Sequence, residues 1–225
     1  MGKTLKKLKR YLSKIVKSLH PSAADEPMSY HSTMLDRQEY YLMMELESLV
    51  GGEIPKVSEM MWDTFGFIVS DRHLVQLGLF EKELSSLPEI ITKMTYLEAL
   101  GLGGNNLSSL PDTISNLRSL NTLDLSQNNL SSLPDTIGTL KLLTFLDLEN
   151  NNLSSLPENI GALTSLKTLS LYHNNLQSLP ESIGSLKSIK RLDLEKNKLD
   201  PLPLHVKKQL QKLKDNGCSI SGIEM

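Results

Sequence analysis

The segment "LDLSQNNLSSLPDTIGTL", residues 123–140, holds no pair of side chains fit for acid–base or nucleophilic chemistry, yet it sets leucines, an asparagine and a proline at fixed places. Those places recur along the chain. Pro88, Pro111, Pro134, Pro157, Pro180 and Pro203 lie 23 residues apart, and so do Leu79, Leu102, Leu125, Leu148, Leu171 and Leu194. Asn105, Asn128, Asn151, Asn174 and Asn197 keep the same spacing, with Lys82 in the equivalent place of the first unit. A further column runs Ile91, Ile114, Ile137, Ile160, Ile183 and Val206. Self-similarity at such a period marks an array in which each unit buries its apolar face only against its neighbours.

Each column has a physical reading. In "LNTLDL", residues 120–125, Leu123 and Leu125 alternate with Thr122 and Asp124, the period of a strand with one buried face. A strand so short needs neighbours, so stacked units predict a parallel sheet spaced at about 4.8 Å per strand. Past the strand the chain must turn while its peptide groups are buried. An asparagine amide offers both donor and acceptor there, so the five asparagines are expected to form a ladder. The prolines predict the first position of a short helical turn, where a missing N–H costs nothing. Glu89, Asp112, Asp135, Glu158 and Glu181 follow them at the positive end of that turn.

Charge divides the chain. The formal net charge is −2, but residues 1–20 hold seven lysines and arginines and no acid, which leaves −9 for the remainder. Within that arm Leu5, Leu8, Leu12, Ile15, Val16 and Leu19 keep helical spacing, so a basic amphipathic helix is expected, suited to an anionic membrane surface or an acidic groove. Lysines interrupt its apolar stretch, which argues against a secretory signal. A lone Cys218 permits no internal disulfide, so a reducing, cytoplasmic setting is expected, possible contact with the inner membrane surface depending on the arm.

The two ends of the array need covering. "WDTFGFIVSDRHLVQLGL", residues 62–79, alternates Phe65, Phe67 and Val69 before a polar break, which predicts a hairpin whose first strand runs antiparallel to the sheet, with Trp62 plugging the core. Upstream, Thr33 and Asp36 have capping-box spacing, and Leu42, Met43, Leu46, Leu49 and Val50 predict a helix ending at Gly51 and Gly52. Downstream, Val206, Leu210 and Leu213 predict a helix stopping at Asn216 and Gly217, with residues 218–220 as a last strand. The organisation is thus a basic helix at 1–20, a linker at 21–32, a cap at 33–73, six repeats at 74–203 and a second cap at 204–225.

These columns, L-x-x-L-x-L-x-x-N-x-L-x-x-L-P-x-x-I-x-x-L, resemble the leucine-rich repeat superfamily over residues 74–213, in its 23-residue "LP" class. That class includes Ras-suppressor-like and scribble-like scaffolds and small prokaryotic leucine-rich repeat proteins, whose N-terminal cap residues 53–79 also resemble. The resemblance implies an α/β fold: a curved solenoid with a parallel β-sheet on its concave face and short helical turns on its convex face. It implies a non-enzymatic protein-binding scaffold or adaptor, in signalling, with no cofactor. Some relatives bind small GTPases, which makes one a candidate partner.

The positions between strand leucines project from the concave face. In the second unit they are nearly bare: Ala99, Gly101 and Gly103, a strand stripped for close approach of a partner. In the last three units they carry Phe145, Asp147, Glu149, Tyr172, His173, Arg191, Asp193 and Glu195, two aromatics ringed by charge, the residue types that make binding hot spots. Asp124, Asp147 and Asp193 also fit a plainer role, polar side chains that keep a strand face soluble. His20, His31, His73, His173 and His205 show no metal-ligand spacing, and "GLGGN" lacks the lysine of a phosphate loop. The expected partner is another protein rather than nucleic acid, bound by a monomer.

Overall fold

The computed structural model describes residues 27–61, 63–199 and 201–223. The expected basic helix, the first part of the linker and the Trp62 plug lie outside the described residues. Strands β1 (Met28–Tyr30) and β2 (Thr33–Leu35) form a small antiparallel hairpin, followed by helix α1 (Arg37–Val50). Strands β3 (Phe65–Ser70) and β4 (His73–Leu79) lead into β5 (Ala99–Gly101), β6 (Thr122–Asp124), β7 (Phe145–Asp147), β8 (Thr168–Ser170) and β9 (Arg191–Asp193). Helix α2 (Leu204–Asp215) and β10 (Ser219–Ser221) complete the chain. β3 to β10 make one eight-stranded sheet in sequence order, parallel throughout except for the β3–β4 pair.

Register follows the period. Leu77, Leu100, Leu123, Leu146, Leu169 and Leu192 stand opposite one another on successive strands, and all are buried. Five short 3-10 turns, such as Asp135–Thr139 and Glu158–Ala162, return the chain behind the sheet. Four of them follow a proline that sits one residue earlier than expected, as an extended N-cap with ψ near 150° in Pro157. A five-residue 3-10 turn needs an acceptor three residues before its first closed N–H, and Pro157 O supplies it to Ile160 N at 3.0 Å. Successive turns pack tightly: a Cβ on Gly161 would run into Ser182 of the next coil.

The asparagine ladder adds side-chain bonds from coil to coil. Asn151 donates Nδ2 to Leu125 O of the preceding coil at 2.9 Å and to Leu148 O of its own at 3.1 Å, while its Oδ1 accepts from Leu130 N at 2.9 Å. Asn105, Asn128, Asn174 and Asn197 repeat the arrangement. Each is preceded by a residue in the left-handed region: Gly104, Gln127, Asn150, His173 and Lys196 have φ of 52 to 66°. Lys82, which stands where the ladder begins, instead places Nζ 3.6 Å from the Phe65 ring centroid.

The amino-terminal end differs from the sequence reading in three ways. Met28–Tyr30, expected within the linker, form a strand. Thr33 belongs to β2 rather than to a capping box, and Asp36 alone caps α1, its carboxylate accepting from Gln38 N at 2.8 Å. Leu49, placed on the buried stripe by its spacing, is 42% exposed. Helix α1 is tied to the β3–β4 hairpin by a buried acid: Glu39 Oε2 accepts from Leu74 N at 2.8 Å and lies 3.5 Å from His73 Nδ1. The outer edge of β3 is itself covered, because Val57 donates to Phe67 O and Phe67 donates to Pro55 O, both at 3.0 Å. At the other end Val206, Leu210 and Leu213 of α2 close the core, and Cys218 is buried beside them.

Replacing Asn151 by alanine leaves buried peptide groups of two coils without partners, so the protein should lose about 1–3 kcal/mol in equilibrium urea unfolding. Asn197→Ala, at the less buried end of the ladder, should cost less.

Candidate protein-binding surface

Strand register sets the concave face in rows. Gln76, Ala99, Thr122, Phe145, Thr168 and Arg191 form one row, and Gly78, Gly101, Asp124, Asp147, Ser170 and Asp193 form the next. The aspartates do more than keep a surface wet. Each folds back on its own strand end: Asp124 Oδ1 accepts from Ser126 N at 2.8 Å, Asp147 from Glu149 N at 2.9 Å and Asp193 from Glu195 N at 3.0 Å. They lock the bend that carries the chain into the ladder.

The eight residues singled out by sequence fall into three groups rather than one. Phe145 and Asp147 line a concave cavity of about 280 Å³ together with Met60, Met61, Gln76, Glu98, Gly101, Asn121 and Asp124. Tyr172 and His173 sit one coil further on, in a different row, with ring centroids 6.1 Å apart. There His173 Nδ1 meets Asn150 Oδ1 at 2.7 Å, Asn150 Nδ2 donates to Glu149 Oε1 at 2.8 Å, and Lys196 Nζ lies 4.8 Å from the Tyr172 ring centroid. Arg191 and Glu195 are exposed at the far end, where Asp193 Oδ1 also accepts from Ser221 Oγ at 2.8 Å.

Sequence reasoning missed Met60 and Met61, because nothing in a repeat pattern says that a loop of the cap reaches the concave side. The glycines were the available signal. At Gly78 a Cβ would meet Met60 Sδ at 2.9 Å and also the Thr64 carbonyl, so the cap loop lies directly on that strand. At Gly101 the nearest atom to an added Cβ is 3.7 Å away, and that open floor is the base of the cavity.

The cavity is electrostatically one-sided: its lining includes Glu98, Asp124 and Asp147 and no lysine or arginine. Burial pushes the Asp147 carboxyl up to about 6, with the neighbouring Asp124 and Glu149 charges acting in the same direction. Burial also raises Asp124. Among the described residues no cluster of three or more histidines, cysteines and acids is placed to hold a metal ion, and no helix is long and apolar enough to cross a membrane.

What the fold and this face define is a repeat solenoid presenting a patterned surface, the architecture of an interaction scaffold. The model of the leucine rich repeat family matches residues 95–153 and 147–199. Residues 95–199 are thus leucine-rich repeats, and the solenoid they form is that of leucine-rich repeat proteins. It is similar to a leucine-rich repeat protein of Leptospira interrogans, with 35% identity over 61% of this chain and 40% of that one and a TM-score of 0.56. It is also similar to the plant peptide hormone receptor RGFR1 in complex with RGF2, with 33% identity over 65% of this chain and 24% of the receptor and a TM-score of 0.56. Similarity to a chain of the Drosophila Toll–Spatzle complex runs at 32% identity over 63% of this chain and 19% of that one, with a TM-score of 0.53. The chain therefore spans well under two thirds of each of these proteins. None of the curated proteins compared with it matches.

Because the native state holds the Asp147 proton up to about 6 while the unfolded chain releases it near 3.8, stability from this group is lost as pH rises across that window. Asp147→Asn keeps the acceptor for Glu149 N and removes the charge. It should raise the melting temperature at neutral pH, by about 1–3 kcal/mol of stability, and lose its advantage near pH 4. Thermal melts of both proteins across that range measure it.

Proposed function

We propose that the protein is a non-enzymatic scaffold or adaptor that holds a partner protein on its concave face, in the manner of the short 23-residue class. The observation that carries this reading is the uneven dressing of one continuous face: a bare second coil beside coils bearing Phe145, Tyr172, Arg191 and a row of acids. Solubility alone would ask for polar residues in every coil, whereas a partner asks for open space next to aromatic anchors. Phe145, Asp147, Glu149, Tyr172, His173, Arg191, Asp193 and Glu195 are the proposed contact residues. Structural neighbours in complex with RGF2 and with Spatzle support recognition of a protein or peptide partner. A cytoplasmic signalling role, with a small GTPase as one partner class, fits the resemblance to Ras-suppressor-like scaffolds.

A second reading rests on the arm. Seven basic residues interleaved with apolar ones at helical spacing in residues 1–20 would place the solenoid on an anionic membrane surface as a regulator. Co-sedimentation with vesicles containing phosphatidylserine should pellet the full chain and not a variant with those seven residues changed to glutamine; equal pelleting removes this reading.

The scaffold reading is tested by affinity capture from native lysate. A protein retained by the wild type should be lost when Phe145→Ala and Tyr172→Ala are combined in a chain that still melts cooperatively. Undiminished capture by that folded variant would move the binding face elsewhere.

A further inference from the structure

We propose that the rim of the solenoid, where each 3-10 turn closes and leads to the next strand, is a docking surface for an anionic phospholipid bilayer. The inference rests on the membrane-surface reading and names the face that meets the lipid. Charge on the repeats is sorted by edge. In the rim segments 92–98, 115–121, 138–144, 161–167 and 184–190, the charged residues are Lys93, Arg118, Lys141, Lys167, Lys187 and Lys190 against Glu98 alone. On the opposite edge, segments 105–112, 128–135, 151–158 and 174–181 carry four acids and no lysine or arginine. The rim is one surface, because each segment is bonded to the next: Thr144 N donates to Asn121 O, Lys167 N to Thr144 O and Lys190 N to Lys167 O, all at 2.8 Å. All six basic residues are exposed. Lys141 Nζ caps two turns, reaching Gly138 O at 2.7 Å and Ala162 O at 2.9 Å. Among the described residues Arg118, Lys167, Lys187 and Lys190 enter no ion pair with an acid.

Like charges gathered on one edge of an otherwise acidic body repel one another, and an anionic surface relieves that repulsion. The same rim turns two apolar side chains to solvent: Leu142 is 56% exposed and Tyr96 51%. That combination selects the partner. The headgroup layer of a bilayer and the acyl boundary beneath it accept basic, aromatic and apolar side chains together. A nucleic-acid backbone would reward the charges and leave Leu142 in water. The described chain also begins at this rim. Pro27 lines a hollow of about 210 Å³ with Arg72 and His73, and the His73 ring stacks on Tyr96 with centroids 3.7 Å apart. Residues 21–26 span at most about 20 Å, so the basic segment 1–20 is tethered to the same side. Arm and rim thus approach a bilayer together, and two weak signals combine into a stable anchor. The concave face stays open to a partner.

The test is binding of the full chain to phosphatidylcholine vesicles with and without phosphatidylserine. A basic residue held near an anionic bilayer is worth about fivefold in affinity. Arg118→Gln, Lys167→Gln, Lys187→Gln and Lys190→Gln combined, with the arm intact, should weaken binding to the anionic vesicles about tenfold or more. These side chains are exposed, so the variant should melt as the wild type does. A polarity-sensitive dye on Leu142→Cys should shift to the blue when anionic vesicles are added. The same dye on Ser132→Cys, on the acidic edge, should not; Cys218 is buried and stays unlabelled. Wild-type affinity in the combined variant, or equal dye responses at the two positions, would overturn the proposal and leave the arm as the anchor. A duplex DNA bound as tightly as the anionic vesicles would overturn it too. If the arm variant pellets like the wild type while the rim variant does not, the arm loses its part and the rim keeps its own. A wild-type chain that ignores anionic vesicles removes both.

Discussion

A side-chain amide that bonds to two coils at once is the constraint on which the rest of the molecule depends. Asn128 donates to Leu102 O behind it and Leu125 O in its own coil, and accepts from Leu107 N. The backbone of each turn thus finds its partners in the previous turn, and no coil is complete alone. Leucine burial supplies the driving force for stacking, but it is not directional. The ladder supplies direction: it fixes the coil-to-coil register, and register decides which side chains share a row on the open face. The left-handed residue ahead of each asparagine follows from the same demand, since the chain must swing its next side chain inward. Gly104 meets that demand without strain, whereas Gln127 and His173 adopt it at a cost offset by their neighbours' bonds.

A chain of mutually dependent units needs ends of another kind. At the first coil Lys82 occupies the ladder position because the strand before it, β3, is antiparallel and presents no equivalent turn to bridge. Its ammonium over Phe65 binds hairpin to repeat. Glu39 binds helix α1 to the same hairpin through Leu74, and burial raises its pKa above the ordinary carboxylate value. The stacking of His73 on Tyr96, with centroids 3.7 Å apart, continues the link into the first coil. The cap is thus joined to the array by polar and aromatic contacts, while apolar burial dominates between coils.

The repeat was fully legible in the sequence, because the same physical demand is written six times and coincidence in one unit is corrected by the next. The asparagine ladder could be read for the same reason. Features that occur once were read less well. Thr33 has the spacing of a capping box, but pairing with Tyr30 in a hairpin satisfies its backbone better than a helix end would. The role of Asp36 depends on where the helix begins, which spacing fixes only to within a residue or two. The proline position was misplaced by one because a 3-10 turn and an α-helix differ in which carbonyl accepts the first bond. On the open face, Phe145 and Tyr172 looked like one site because they are successive aromatics in the sequence. They differ by one row as well as one coil, which the repeat register shows once it is laid out strand by strand.

The cavity at Gly101 is the feature least accessible to sequence and most suggestive of purpose. It joins Met60, in the cap, to Asp124 and Phe145, two and three coils away, so its walls are set by how the cap folds back and not by any local pattern. Elsewhere on this face the polar groups answer one another: Asp193 has Ser221, Glu149 has Asn150, and Asn150 has His173. Asp124 follows the same pattern, bonded through both the backbone N–H and the hydroxyl of Ser126. The stiffness that the ladder gives each coil holds these acids at fixed places on the open face.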